Sequence, residues 1–534
     1  MAGCLLEPGR SQGAPPDPAL NPTPTPTRPT PTPTLRNPFL HVDRGDIRDG
    51  EGRLVFLRGV NMHTDYYRFD KDPEAPWRYA TQGDVRFLAS LGATVIRLGL
   101  HWRYFESSLG FDLIDAYLSW AEEAGIYVIL DMHVVPPEDD ILEGKIWKDP
   151  AAQARFIEIW TALVSRYADR EVVAGYDLFN EPNPPDPEMW WELAEKTRRA
   201  IRQVDPYHII FVQGPLGASP DVYRLLPDNN LVYSYHDYTP FVVTHAGADW
   251  TNDTPVPTDY VYPGRVLVDV VPVEPSPEGP LLTSPTASWQ FWRSEVFRVP
   301  EDDISWASPR LFGRGNTGRV WFDDIQWFHN GVPVPVLNGH LNKPSRVRPG
   351  QPANWFFEGH KAEGAWSRKV KRSGKGSAYL TSHHDDGYGA WTQAQGIWTE
   401  PLLQVAPGDT LQVQGWIYAP ENRGDVGLGV MYLRGIFKEY DRERLWEKMR
   451  PYVEWAQTHG VPLFVGEFGS ISSAPQGSRA RLIADKIQLM NAAGVHWALW
   501  AYRDGSPPSF GLTWDGAFDM ALIRILEEGF RARP

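Results

Sequence analysis

Two stretches, FNEP at residues 179–182 and GEFG at residues 466–469, each end an apolar run on a glutamate. A carboxylate is costly to bury without partners, so Glu181 and Glu467 must be solvated, paired or reactive. Two carboxylates facing one cleft have the chemistry to cleave a glycosidic bond. One keeps its proton for the leaving oxygen while the other, ionised, attacks the anomeric carbon; double displacement needs them about 5–5.5 Å apart. Arg97, His133, Asn180, His236, Tyr238 and Trp500 end similar runs. An arginine beside a carboxylate favours its ionised form. Singly, each of these has an ordinary explanation: a solvated acid, a core histidine, a structural ion pair, a packed tryptophan. Their recurrence at the same end of successive runs carries the reading. The glycines flanking Glu467 leave little bulk, which predicts close approach of a ligand.

The elements that must position these side chains are legible as a rhythm. LVFLRGVNMH, ATVIRLGLHW, IYVILDMHV, VAGYDLFNEP, HIIFVQG, LVYSYHDY, PLFVGEFG and VHWALWAY are nearly continuous apolar runs, as expected of parallel strands covered on both faces. Amphipathic stretches such as TQGDVRFLASLG, LIDAYLSWAEEAG and PEMWWELAEKTRRAIRQVD separate the early ones. Eight strand-then-helix units predict an α/β fold, a TIM (β/α)8 barrel formed by residues 38–261 and 436–534, whose strand ends meet at one rim. An open doubly wound sheet fits less well, since no glycine-rich phosphate loop follows the first strand. Residues 262–435 break the alternation. Short strand patterns there (GRVLVDVVPV, GRVWFDDIQWF, GSAYLTS, TLQVQGWIYAP) are separated by Gly, Pro and Asn and predict an all-β, jelly-roll-like sandwich inserted after strand six. Helical pattern resumes at DRERLWEKMRPYVEWAQTHG.

Composition narrows the function classes. The 534 residues carry a net charge of −15, which speaks against a nucleic-acid partner. The 23 Trp and 22 Tyr suit either core packing or stacking on sugar rings. A single cysteine, Cys4, excludes an internal disulfide. No apolar run is long enough to span a bilayer, and the N-terminus shows no intact signal peptide. Ala2-Gly3-Cys4 is similar to the end of a bacterial lipoprotein signal, whose cysteine receives lipid. Residues 1–37 contain NPTPTPTRPTPTPT, a Pro/Thr repeat that favours extended polyproline II and builds no core. The expectation is a disordered stalk on an extracellular or cell-surface protein, anchored through Cys4. Oligomeric state is left open.

The strand-end set resembles glycoside hydrolase family 5, the cellulase-like branch of the (β/α)8 retaining glycosidases. The matching pieces are VIRLGL, LDMH, FNEP, YHDY, GEFG and ALWAY. The resemblance implies Glu181 as acid/base, Glu467 as nucleophile and Asn180 on the sugar 2-hydroxyl. It has Arg97 and Tyr238 holding Glu467 ionised, His133 and His236 lining the site, and Trp500 beneath the sugar. It implies hydrolysis of a β-linked polysaccharide or oligosaccharide with retention and without a cofactor, as an endo-β-1,4-glucanase. A β-mannanase or another family 5 β-glycosidase is the alternative. Two readings of another kind are a non-catalytic glycan-binding surface protein and a metal-dependent hydrolase using His133 and His236. Trp102, Trp147, Trp191 and Trp514 are candidate subsite aromatics. The insert resembles β-sandwich carbohydrate-binding modules, with its halves in swapped order. Trp289, Trp292, Trp391 and Trp398 are its candidate sugar-stacking residues. Asp323 or Asp324 with Glu358 are candidate ligands for a structural Ca2+.

Overall fold

The computed structural model describes residues 38–534 apart from Asp70, residues 139–143, Asp302, residues 396–397 and 400–401, Gln476, Ser506, Asp515 and Pro534; at residues 395, 398 and 399 it describes the backbone alone. Cys4 and the Pro/Thr segment lie outside the described residues, as does the Trp398 side chain. Among the described residues no helix is long and apolar enough to cross a membrane.

All eight expected strands form. They are β1 (Arg58–Met62), β2 (Val95–His101), β3 (Tyr127–Val134), β4 (Val173–Asp177), β5 (Ile209–Gln213), β6 (Leu231–Asp237), β7 (Leu463–Phe468) and β8 (His496–Leu499). Each pairs in parallel with the next, and β8 returns to β1, closing a barrel. The strands are buried on both faces, which is why they read as unbroken apolar runs. Inside, Val95, Ile129, Ala174, Phe211, Val232 and Phe464 fill one end, joined by Leu40 and Ile47 from a hairpin of His41–Asp43 and Asp46–Arg48.

The surrounding helices are α1 (Gln82–Leu91), α2 (Leu109–Ala124), α3 (Pro150–Tyr167), α4 (Pro187–Arg202), α5 (Arg442–His459), α6 (Ser478–Ala492) and α7 (Met520–Arg531). Their limits follow from local chemistry. Thr81 and Asp84 cap the start of α1 reciprocally, and Gly92 at φ 102 ends it in a left-handed conformation closed to most side chains. Asp149 and Asp186 cap α3 and α4, each followed by a proline whose missing N–H costs nothing at a first turn.

Between β6 and α5 the chain leaves the barrel. Strands Gly264–Val273 and Asp425–Tyr440 run antiparallel with Gly264 opposite Tyr440, so the insert departs and returns as one ribbon. The expected boundary at 435 therefore falls inside the last strand, beside an irregularity at Ile436–Phe437. The two ribbon strands continue into one of two antiparallel sheets, where Asp425–Tyr440 pairs with Trp306–Arg314. One contains Trp306–Arg314, Phe356–His360 and Tyr388–Thr392; the other contains Gln290–Arg293, Val320–His329, Ala362–Ser367, Ser377–Ser382 and Thr410–Tyr418. Leu311, Phe322, Trp327, Trp391, Val413 and Leu428 form a core shared by both sheets. Trp391 is wholly buried there and cannot stack on a ligand, whereas Trp289 and Trp292 are half-exposed. At the base of the ribbon, Val266 and Tyr440 pack with Leu445, Ile471, Phe510 and Trp500 of the barrel. Arg348 of the insert binds Asp253 and Asn252 in the segment that leads to it, at 2.6 and 2.7 Å.

The expected calcium ligands are separated and engaged elsewhere. Glu358 lies on one sheet and pairs with Arg310 at 3.3 Å. Asp323 and Asp324 lie on the other, where the ladder slips between Asp323 and Gln326. Strand alternation would send their side chains to opposite faces, but the slip and a left-handed Asp324 (φ 53) bring both to one loop. Asp323 accepts from the Arg372 and Ser373 amides; Asp324 accepts from the Ser373 hydroxyl and pairs with His340 and Arg372.

Candidate active site

Arg97, at the middle of β2, is fully buried and faces three carboxylates. It lies 3.0 Å from Asp131, 2.8 Å from Asp177 and 3.0 Å from Glu467, and donates to Asn180 Oδ1 at 2.9 Å and Asn61 Oδ1 at 3.0 Å. Burial alone would lower the guanidinium's pKa; the surrounding carboxylates raise it above its ordinary value, so it stays a cation. Burial pushes Asp131 and Asp177 up to about 7 against the pull of Arg97. Burial thus opposes ionisation of all three carboxylates, and the one guanidinium they share favours it.

Glu467 and Glu181 differ in what touches them. Burial raises both pKa values, and the charge of the Arg97 guanidinium opposes that rise in both. Glu467 Oε1 accepts from Arg97, and its Oε2 accepts from the Tyr238 hydroxyl at 2.9 Å. Two donors, one charged, favour the carboxylate. Glu181 Oε1 instead lies 2.8 Å from Nδ1 of His236, an imidazole that burial keeps neutral by lowering its pKa to about 3. Oxygens of Glu181 and Glu467 and a His236 ring nitrogen lie within 4.8 Å of one another. These are also metal-ligand types, but Arg97 at 3.0 Å from Glu467 opposes a dication there. His133, held by Asp131 at 2.6 Å, is 4.0 Å from Glu467. Trp500 stacks against His133 and His63, with centroids at 5.2 and 5.5 Å.

The strand ends aim these groups. Glu181 sits at φ 50, a left-handed conformation a non-glycine residue rarely takes, in front of Pro182, which further restricts it. Its amide is pinned by Gln213 Oε1 at 2.9 Å. Such strain costs on the order of 1–3 kcal/mol and concentrates at functional sites. Around Glu467 the register of β7 slips against both neighbours. The glycines of GEFG make room for protein rather than ligand. A Cβ on Gly466 would sit 3.0 Å from His236 Nε2, and one on Gly469 would sit 2.5 Å from the Trp500 carbonyl.

Arg97, His133, Asn180, Glu181, His236, Tyr238, Glu467 and Trp500 thus converge. The sequence reading missed Asn61, His63, Asp131 and Asp177, although GVNMH, LDMH and YDLF place them at strand ends by the same logic. Of the subsite aromatics, Trp191 is buried and donates to the Val222 carbonyl, and Trp147 is buried against Phe179, so both are core. Trp102 is half-buried and donates to the Glu138 carbonyl, while Trp514 is exposed.

The family model for cellulase (glycosyl hydrolase family 5) matches residues 49–261 and 412–506, more than half the chain, and passes over most of the sandwich. Endoglucanase C of Acetivibrio thermocellus is 30% identical over 229 residues, 40% of this chain and 66% of that protein. A beta-xylosidase of Phanerodontia chrysosporium is also 30% identical, over 35% of this chain and 43% of its own. The chain thus spans just under two thirds of the first of these relatives. A solved hyperthermophilic endo-beta-1,4-glucanase in complex with substrate superposes with a TM-score of 0.48 at 15% identity, covering 88% of this chain and 96% of its own. With the eight-stranded barrel in place and the family model matched on both sides of the insert, the chain belongs to the cellulase family, glycosyl hydrolase family 5.

Proposed function

We propose that this chain is a retaining β-glycoside hydrolase that cleaves β-1,4-linked glucan internally. The observation that carries the reading is the asymmetric pair of glutamates. Their oxygens and His236 lie within 4.8 Å, with Arg97 and Tyr238 on Glu467 alone. Such closeness fits double displacement and leaves no room for the intervening water that inversion requires. A Glu467 oxygen forms a bond to the anomeric carbon as the glycosidic C–O bond breaks, and Glu181 gives its proton to the departing oxygen. Water then attacks the same carbon, Glu181 takes its proton, and Glu467 leaves as a carboxylate. Asn180 Nδ2, buried and without a partner, is the donor for the sugar 2-hydroxyl. The relatives named endoglucanase support the substrate class.

Glu467→Gln and Glu181→Gln should each lower kcat by about 10³-fold or more with melting temperature unchanged. Azide added to Glu467→Gly should yield a glycosyl azide of inverted configuration. If either glutamine variant turns over β-glucan at the parent rate, the assignment is wrong.

We also propose that the sandwich binds glycan and that the protein is exported and held at the cell surface by lipid on Cys4. The Ala2-Gly3-Cys4 triplet and the Pro/Thr stalk support this. Metabolic labelling with a palmitate analogue, abolished in Cys4→Ala, is the expected result. Unlabelled protein recovered from cells that make it naturally would refute the anchor.

A further inference from the structure

The outer face of the sandwich's second sheet carries a row of rings. Trp289, Tyr418, Trp321 and Tyr379 follow one another across neighbouring strands at centroid spacings of 5.7, 5.7 and 6.2 Å, each ring half-exposed. Register sets the row: Tyr418 lies opposite Trp321, and Trp321 opposite Tyr379. The residues between them, Phe322, Ile417 and Ala378, point into the core. A monomeric sandwich gains nothing by displaying four large rings in register, and aromatic rows of this kind offer stacking surface to successive pyranose rings.

Beside this row lies a charge that the rest of the protein does not share. In a chain of net charge −15, no acidic residue stands between Glu363 and Asp385, while Arg368, Lys369, Lys371, Arg372 and Lys375 do. They occupy the loop joining strands Ala362–Ser367 and Ser377–Ser382. That loop is folded onto the same outer face: Arg372 covers Trp416 at 3.8 Å, and its amide donates to Asp323. A second basic segment abuts it. The Trp366 indole donates to the Leu341 carbonyl at 2.6 Å and its amide to the Gly350 carbonyl at 2.7 Å, and the Lys375 amide donates to Asn342. This brings Lys343 and Arg346 to the loop. The acids within reach are already used: Asp323 and Asp324 by Arg372, Ser373 and His340, and Asp253, which accepts from the Arg346 amide, by the Arg348 guanidinium. The exposed side chains of Lys343, Arg346, Arg368, Lys369, Lys371 and Lys375 have no carboxylate partner among the described residues.

We propose that this face binds an acidic polysaccharide: a β-linked glycan whose sugar rings lie along the aromatic row and whose uronic-acid carboxylates meet the basic loops. Charge complementarity selects the occupant. A neutral glycan would use the rings and leave six cations idle; a simple polyanion would use the cations and leave the rings idle. The inference rests on the proposed glycan activity and adds to it the kind of wall material that holds the enzyme near its substrate.

The test is native affinity electrophoresis of the full chain in gels containing glucuronoxylan, or the same polymer with its carboxyls reduced to alcohols. Retardation should be about tenfold stronger for the uronate form and weaken as salt rises. Lys369→Glu/Lys371→Glu/Lys375→Glu should bring it down to the level of the reduced polymer, with the Lys→Gln triple variant intermediate. Trp321→Ala, with its melt recorded, should weaken retention by both polymers. Equal retention of the two polymers, or indifference to the triple variants, would overturn the proposal. So would equal binding to heparin or phosphatidylglycerol vesicles that survives Trp321→Ala. Release of reducing sugar from a β-1,4-gluco-oligosaccharide, assayed on the same preparations, should be unchanged in the triple variants. A parent chain inactive in that assay yet retained by the uronate polymer would sink the hydrolase reading and leave this one standing.

Discussion

Tyr238 makes one contact on which the chemistry turns, its hydroxyl on Glu467 Oε2. Burial holds the phenol's pKa well above its ordinary value, so it remains a donor across the working range. In Tyr238→Phe the carboxylate loses that donor and protonates more readily. In the proposed mechanism Glu467 acts as the ionised nucleophile, so the acid limb of the pH–kcat/KM profile should move upward by about one unit, with kcat/KM down about tenfold or more. The alkaline limb, set by loss of the Glu181 proton and already raised by burial, should stay in place. A downward shift of the acid limb would contradict the assignment. Arg97→Met strands three buried carboxylates, and a loss of about 3–5 kcal/mol in denaturant unfolding is expected. At this scale the sequence revealed polar residues that interrupt apolar runs, Tyr238 just past the end of β6 and Arg97 inside β2 rather than at its end. It hid Asp131 and Asp177, whose importance lies in sharing one guanidinium, a relation that exists only after closure.

At the scale of elements, β7 shows how local sequence serves the site. Gly466 lies where the ladder slips, and its missing Cβ leaves space for the His236 ring. Gly466→Ala should push that ring by a few tenths of an ångström and misplace Glu181 with it. A roughly tenfold fall in kcat with little change in KM is expected from steady-state kinetics on a soluble β-glucan. An unchanged kcat would show that His236 does not position Glu181. The eight strands were legible because parallel strands covered on both faces need no alternation, and each run ends in a turn signal such as Glu181-Pro182. Trp147 and Trp191 were misread because a tryptophan in a loop or on an amphipathic helix carries no mark of which side it faces. The Asp323–Asp324 pair was misread because a bulge cancels the alternation the strand pattern implies.

For the whole molecule, the question is whether barrel and sandwich are separable. Val273 stands opposite Tyr432 in the ribbon, so residues 274–431 can be replaced by Asn-Gly, whose left-handed turn matches an antiparallel two-residue hairpin. The shortened chain keeps Val266 and Tyr440, and with them the packing onto Leu445, Ile471 and Trp500. It loses the Arg348 bonds to Asp253 and Asn252 and exposes part of Leu267 and Val270. A soluble barrel with a modestly lower melting temperature is expected. Its activity on short β-1,4-gluco-oligosaccharides should lie within about threefold of the parent, because no residue of 274–431 touches Glu181, Glu467, Arg97 or Tyr238 among the described contacts. Retention on polymeric substrate should fall much further, since the aromatic row and basic loops leave with the insert. A shortened chain that is insoluble, or inactive on oligosaccharide, would show instead that the sandwich is a wall of the barrel rather than a module carried by it.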